Sequence, residues 1–267
     1  MRLFKLYCCG VLVALLGACC NNQNVESAES SKSMYLLSAT AWYQQSAEMR
    51  ACYYQSYKMA EMALVCNLQN KKTDKPAAVV LDIDETVIDN SPFEAKLIAD
   101  NQQYTDSAWM AWSERAEARA LPGAVEFINF ARTKGVEVFL ISNRIDDERQ
   151  NTIKNLADVG VIIDSAHLMT KQVDKGSCKD ERRSIVEQTH EIILLVGDNL
   201  GDYSSVFDKR SESLAIDFVD SLRDDFGTKF IVLPNPMYGE WENAIYKHNY
   251  KATNKEKNKM MLDLLNK

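Results

Sequence analysis

The stretch Ala77-Ala-Val-Val-Leu-Asp-Ile-Asp-Glu-Thr86 decides how the rest of this chain is read. Five apolar residues run straight into carboxylates. A short unbroken apolar run of this kind predicts a strand buried on both faces, as in a parallel sheet. Two further runs have the same character, Val136 to Ser142 and Glu191 to Gly197, and a weaker one spans Phe230 to Leu233. Helical spacing predicts helices between them, over Ala124 to Lys134, Asp146 to Asp158 and Cys178 to Thr189. Strands alternating with helices imply an α/β layer around a parallel sheet. Upstream, residues 34–70 contain no Gly or Pro and read as one long or two shorter helices. Residues 87–121 look like an insertion after the first strand, and Asn249 to Lys267 reads as a basic amphipathic helix.

Ligands of an open α/β sheet bind at the carboxyl ends of its strands, so the polar residues there are the candidates for chemistry. Strand one ends in Asp82 and Asp84, two residues apart and, on an extended chain, on one face. Two crowded carboxylates repel, and a hard cation with oxygen preference, Mg²⁺, would offset the repulsion. Strand two ends Ser142-Asn143-Arg144, and strand three ends Gly197-Asp198-Asn199-Leu200-Gly201-Asp202. Each piece alone has an ordinary structural reading as a cap, turn or solvated acid. Three consecutive strand ends carrying such groups on one rim do not.

The pattern Asp82-x-Asp84-x-Thr86, then Ser142, then Gly197-Asp198-x-x-x-Asp202 resembles the haloacid dehalogenase (HAD) superfamily of phosphatases. The strings Leu81-Asp-Ile-Asp-Glu-Thr-Val-Ile-Asp-Asn-Ser-Pro92, Leu121-Pro-Gly-Ala-Val-Glu-Phe127 and Tyr238-Gly-Glu-Trp241 are similar to the class C bacterial acid phosphatases of the lipoprotein e type. The resemblance implies a HAD-like Rossmannoid α/β fold. It adds a helical subdomain from residues 34–70 and parts of 87–121 and 240–267. It implies hydrolysis of phosphomonoesters, prominently nucleoside 5′-monophosphates. Asp82 would be the nucleophile, and Asp84 the general acid, ideally with a raised pKa. Ser142 and Asn143 would bind the phosphoryl group, with Arg144 adding attraction for it. Asp82, the backbone of Asp84, Asp198 and Asp202 would ligate Mg²⁺, and Trp109 and Tyr238 would stack the base. A lysine is also required. The string Asp174-Lys175-Gly-Ser-Cys178-Lys179-Asp-Glu-Arg-Arg183 fits the family pattern with one residue inserted, which favours Lys179 and keeps Lys175 as the alternative.

The N-terminus reads as an address. Arg2 and Lys5 precede an uncharged run from Leu6 to Ala18, too short for a comfortable membrane span and suited to a signal peptide. It ends Leu16-Gly17-Ala18-Cys19, which resembles the bacterial lipobox. Residues 1–18 would be removed and Cys19 lipidated, and residues 19–33 would be a polar tether to the membrane. Cys20 follows where an inner-membrane retention signal would have Asp, so the outer membrane of a bacterial cell envelope is expected. Residues 34–267 would form the phosphatase domain.

The whole chain has 267 residues, 31 Lys and Arg against 38 Asp and Glu, and a net charge of −7. An acidic chain without a basic face argues against nucleic-acid binding. Of the 7 cysteines, Cys8, Cys9, Cys19 and Cys20 fall in the first twenty residues, and the other three are Cys52, Cys66 and Cys178. On one straight helix, Cys52 and Cys66 would stand roughly 21 Å apart, beyond disulfide reach. Two other functions compete: a phosphatase or phosphotransferase without nucleotide preference, and a non-catalytic binding lipoprotein. Plant storage proteins of similar type lack the nucleophilic Asp, which this chain keeps. A homodimer is left open.

Overall fold

The structure is a computed structural model that describes residues 32–265, apart from 174, 210–213 and 250. The expected signal peptide, the lipobox with Cys19 and most of the tether therefore lie outside the described residues. No helix among those described is long and apolar enough to cross a membrane.

Five parallel strands form the sheet: β1 (Ala77–Leu81), β4 (Glu137–Ile145), β5 (Leu168–Lys171), β6 (Glu191–Gly197) and β7 (Phe230–Val232). Their order is β5-β4-β1-β6-β7, which puts the opening stretch at the centre. All five residues of β1 are buried. They alternate: Val79 and Leu81 join one hydrophobic core, Ala78 and Val80 another on the opposite face. This two-residue period on a strand apolar on both sides is why β1 is central.

One face is covered by α2 (Ala47–Gln69) and α5 (Ala124–Thr133). Tyr53, Tyr57, Ala60 and Leu64 of α2 share the core with Phe127 and Ile128 of α5. α2 thus packs as a layer of the main core. Its partner α1 (Lys32–Gln45) ends where Ser46 caps α2 by accepting from the Met49 N–H. A Ser at an extended Ncap satisfies an orphan amide of the first turn, which is why the expected helical stretch is two helices. α1 contacts α3 (Ser91–Ala99) of the insertion. The insertion also holds a two-stranded antiparallel ribbon, β2 (Ile88–Asp89) with β3 (Arg119–Ala120), and α4 (Asp106–Ser113). The opposite face of the sheet carries α7 (Asp180–Thr189) and Tyr203 and Phe207. The remaining helices are α6 (Arg149–Asp158), α8 (Ile216–Ser221), α9 (Glu240–Ile245) and α10 (Asn254–Leu264). Strand β5 has no counterpart among the expected strands. Cys52, Cys66 and Cys178 are free and exposed.

Candidate active site

The backbone ladder continues one residue beyond β1: the Asp82 N–H donates to Val196 O at 3.0 Å. This seats Asp82 at the carboxyl end of the sheet, beside the end of β6. The chain then turns, with the Val87 and Ile88 amides both donating to Ile83 O. Because extension stops at Ile83, Asp82 and Asp84 stand at the same rim but meet different partners. They part company, each to its own cation.

Asp82 accepts from Lys179 Nζ at 2.6 Å, and the same ammonium lies 2.7 Å from Asp202 Oδ1. Lys179 is 4% exposed, so the ammonium has exchanged water for these two carboxylates. Burial alone would pull it down, but Asp202 and Asp82 outweigh that and hold it above the usual lysine range. Lys175 is exposed and lines a cavity of about 350 Å³ with Thr170, Cys178 and Arg182. Of the two candidate lysines, the structure brings Lys179 to Asp82.

Asp198 completes the cluster. One carboxylate oxygen each from Asp82, Asp198 and Asp202 fall within 4.8 Å of one another. Burial pushes Asp82 up to about 7, against the pull of the Lys179 ammonium. Burial and the neighbouring Asp202 push Asp198 well above the usual carboxylate range. Three carboxylates share one ammonium, so negative charge is in excess, and a hard divalent cation fits this all-oxygen donor set. Asp202 is fixed by Asn199, whose N–H donates to its Oδ2 at 3.0 Å, and Asp198 by Asn235 Nδ2 at 2.8 Å. Gly197 must lack a side chain: a Cβ there would collide with the Asp202 carboxylate.

Asp84 faces a different set. Arg144 donates to it from Nε at 3.0 Å and from Nη2 at 2.8 Å, Asn90 Nδ2 donates at 2.8 Å, and Ser142 Oγ at 3.3 Å. Its carboxylate is not part of the three-acid cluster, and it stands among donors rather than acids. Arg144, expected to attract substrate, is 3% exposed and committed to Asp84, Ser113, Thr152 and Asn90. Its charge is neutralised where it stands. Asn143 is exposed, and its Oδ1 accepts from Arg182 Nη2 at 2.7 Å. Arg182 also donates to Ser142 O, tying α7 to the end of β4.

The two expected stacking aromatics are both half-buried. Trp109 has Arg144 over its ring at 5.3 Å and Phe93 edge-on at 5.4 Å, and its Nε1 donates to Glu148. Tyr238 follows Asn235, the residue that holds Asp198, by three positions, and its N–H lies 3.5 Å from Asn235 Oδ1. Sequence reasoning missed Asn90, Glu148, Asn235 and Arg182. Asn90 was in view inside the string around Asp82, and Asn235 stands two residues past the fourth strand run, but neither carries a charge to flag it.

A parallel sheet whose central strand ends in Asp82, with Lys179 and a three-carboxylate cluster at the same rim, is the arrangement of a known class. The model of HAD superfamily, subfamily IIIB (Acid phosphatase) matches residues 13–241, and the chain belongs to that family. It is similar to the class C acid phosphatase from Bacillus anthracis, at 40% identity and a TM-score of 0.83, over 89% of this chain and 99% of that one. A second structure of that protein, with tungstate bound, matches at 38% identity, a TM-score of 0.82 and the same coverage. Acid phosphatase 1 of Solanum lycopersicum is 26% identical over 164 residues, 60% of this chain and 57% of that protein. The Stem 31 kDa glycoprotein of Glycine max is 26% identical over 166 residues, 60% of this chain and 58% of that one. The match thus spans under three fifths of these curated relatives' length.

Proposed function

We propose that this protein is a Mg²⁺-dependent acid phosphatase that hydrolyses phosphomonoesters, nucleoside 5′-monophosphates foremost, from an anchor on the cell envelope. The observation that supports it most is the buried Lys179 bridging Asp82 and Asp202, with Asp198 closing the three-carboxylate cluster.

Asp82 is the nucleophile: its carboxylate attacks phosphorus and forms an aspartyl-phosphate as the ester oxygen leaves. A carboxylate is a weak nucleophile, so in-line placement and charge neutralisation supply most of the acceleration. Lys179 holds the attacking oxygen and screens it from the incoming phosphate. Asp84 gives its proton to the leaving oxygen, then takes one from the water that hydrolyses the intermediate. Arg144 keeps Asp84 in place through its Nε and Nη2 hydrogen bonds. Ser142, already aimed at Asp84, donates to a phosphoryl oxygen. Mg²⁺ held by Asp82, Asp198 and Asp202, with the Asp84 backbone carbonyl, would neutralise charge on the transferring phosphoryl group.

Trp109 and Tyr238 would grip a nucleobase by its faces, which tolerates several bases. Arg144 already lies over Trp109, so the base would take the ring's other face. Lipidation at Cys19 would hold the enzyme at the outer membrane, with the tether keeping it clear of the bilayer. A panel of phosphomonoesters assayed with and without Mg²⁺ tests the proposal. Turnover should require Mg²⁺ and favour nucleotides over p-nitrophenyl phosphate, and a Trp109→Ala/Tyr238→Ala variant should lose that preference. An unchanged preference in the variant would remove the stacking assignment. Incorporation of labelled palmitate into the wild type but not into Cys19→Ala tests the anchor.

A further inference from the structure

Asn90 immediately precedes α3 and is fully buried. Its Nδ2 donates to Asp84 Oδ1 at 2.8 Å. An amide side chain has two similar ends, and something must choose which one faces the carboxylate. Trp112 of α4 makes that choice. Its indole Nε1 is donor-only and gives its proton to Asn90 Oδ1 at 2.9 Å. Arg144 Nη2 donates to the same oxygen at 3.3 Å. With two donors on the oxygen, the nitrogen is left to face Asp84. The Asn90 backbone is fixed as well, its N–H donating to Glu85 Oε1 at 2.7 Å. Asp84 is thereby held from three sides, by Arg144 and Ser142 of β4 and by Asn90 of the insertion. A carboxyl group that must deliver a proton to one atom needs placement within fractions of an ångström.

We infer that Asn90, oriented by Trp112, is a positioning residue for Asp84, and that this pair sets how well Asp84 delivers its proton to the leaving group. The inference rests on Asp84 being the general acid. In that step the bond from the Asp82 oxygen to phosphorus forms while the bond from phosphorus to the ester oxygen breaks. The ester oxygen keeps the electron pair and receives the carboxyl proton of Asp84. A basic leaving group needs that proton and a weakly basic one does not. Disturbing Asp84 should therefore penalise phenyl phosphate more than p-nitrophenyl phosphate, two substrates of similar shape that differ in leaving-group basicity.

The test is the ratio of kcat/KM for phenyl over p-nitrophenyl phosphate, measured on the full chain with Mg²⁺. Wild type is compared with Asp84→Asn, Asn90→Ala and Trp112→Phe, and circular dichroism confirms folding. Asp84→Asn should lower the ratio most. Trp112→Phe, which keeps a ring and loses the N–H, should lower it about threefold or more, and Asn90→Ala about tenfold, both smaller than the roughly 10²–10⁴-fold that a whole general acid contributes. If Asn90→Ala does not fold, Trp112→Phe decides. A ratio that falls in Asp84→Asn but stays at the wild-type value in Trp112→Phe and Asn90→Ala overturns the inference alone. A ratio unchanged in Asp84→Asn removes the general-acid assignment, and the inference with it.

Discussion

At the scale of single residues, the site is a sorting of like charges. Asp82, Asp84, Asp198 and Asp202 crowd one rim, and two buried cations divide them. Lys179 takes Asp82 and Asp202, while Arg144 takes Asp84. Removing one partner of a buried pair leaves an uncompensated charge and costs more than removing a surface ion. Lys179→Ala should therefore cut turnover by about a hundredfold or more, while Lys175→Ala, on an exposed side chain, should stay near the wild-type rate. Steady-state kinetics of the two variants checks this, and the reverse order would make Lys175 the active-site lysine. The acids were legible in the sequence because they directly follow apolar runs that had to be buried strands. Their partners were not. Arg144 is 60 residues from Asp84 and Lys179 is 97 from Asp82, so both pairings exist only once the sheet is assembled.

At the scale of elements, α2 supports the turn that follows Asp82. Tyr53 and Tyr57 are four apart, so they lie on one helix face. Their hydroxyls donate to Glu85 O and Thr86 O, each at 2.6 Å. Glu85 sits at φ 54, a left-handed conformation that costs a non-glycine residue about 1–2 kcal/mol. The two hydroxyls and the Asn90 N–H on its side chain hold it there. Tyr57→Phe keeps the ring against Phe127 but strands a buried carbonyl, and should cost about 1–3 kcal/mol in urea unfolding. On α3, burial and then Glu242 push Glu94 up to about 7. The unfolded chain releases this proton at a lower pH, so Glu94 lowers stability progressively as pH rises from about 4.5 to about 7, and by a constant amount above. Glu94→Gln should accordingly stabilise by about 2–3 kcal/mol at pH 8 and by almost nothing at pH 4, read from denaturant midpoints. The periodicity of residues 34–70 announced these helices, and Ser46 marks where they divide. Strand β5 was illegible because it is an edge of four residues, Leu-Met-Thr-Lys, alternately buried and half-buried, with no apolar run to mark it.

At the scale of the whole molecule, the net charge of −7 gives no warning that the proposed substrate is an anion. The attraction for such a substrate would have to be local, from Lys179, backbone amides and the proposed Mg²⁺, since Arg144 is already paired with Asp84. The order of the strands explains why one rim collects everything: β1 lies between β4 and β6, so the ends of all three sequence runs converge on Asp82. That convergence was legible as soon as the strands were taken to be parallel. The place of the insertion was legible only through the resemblance that put Trp109 at the site, because nothing in Trp112 or Asn90 states that the segment folds back over Asp84. The account stands on one chemical claim, that Asp82 attacks phosphorus in a site that needs a divalent cation. The most direct measurement is turnover of a nucleoside 5′-monophosphate by wild type and Asp82→Asn, each with Mg²⁺ and with a chelator. Turnover is expected in the wild type with Mg²⁺ alone. Activity that persists in Asp82→Asn, or that survives chelation in the wild type, would contradict it.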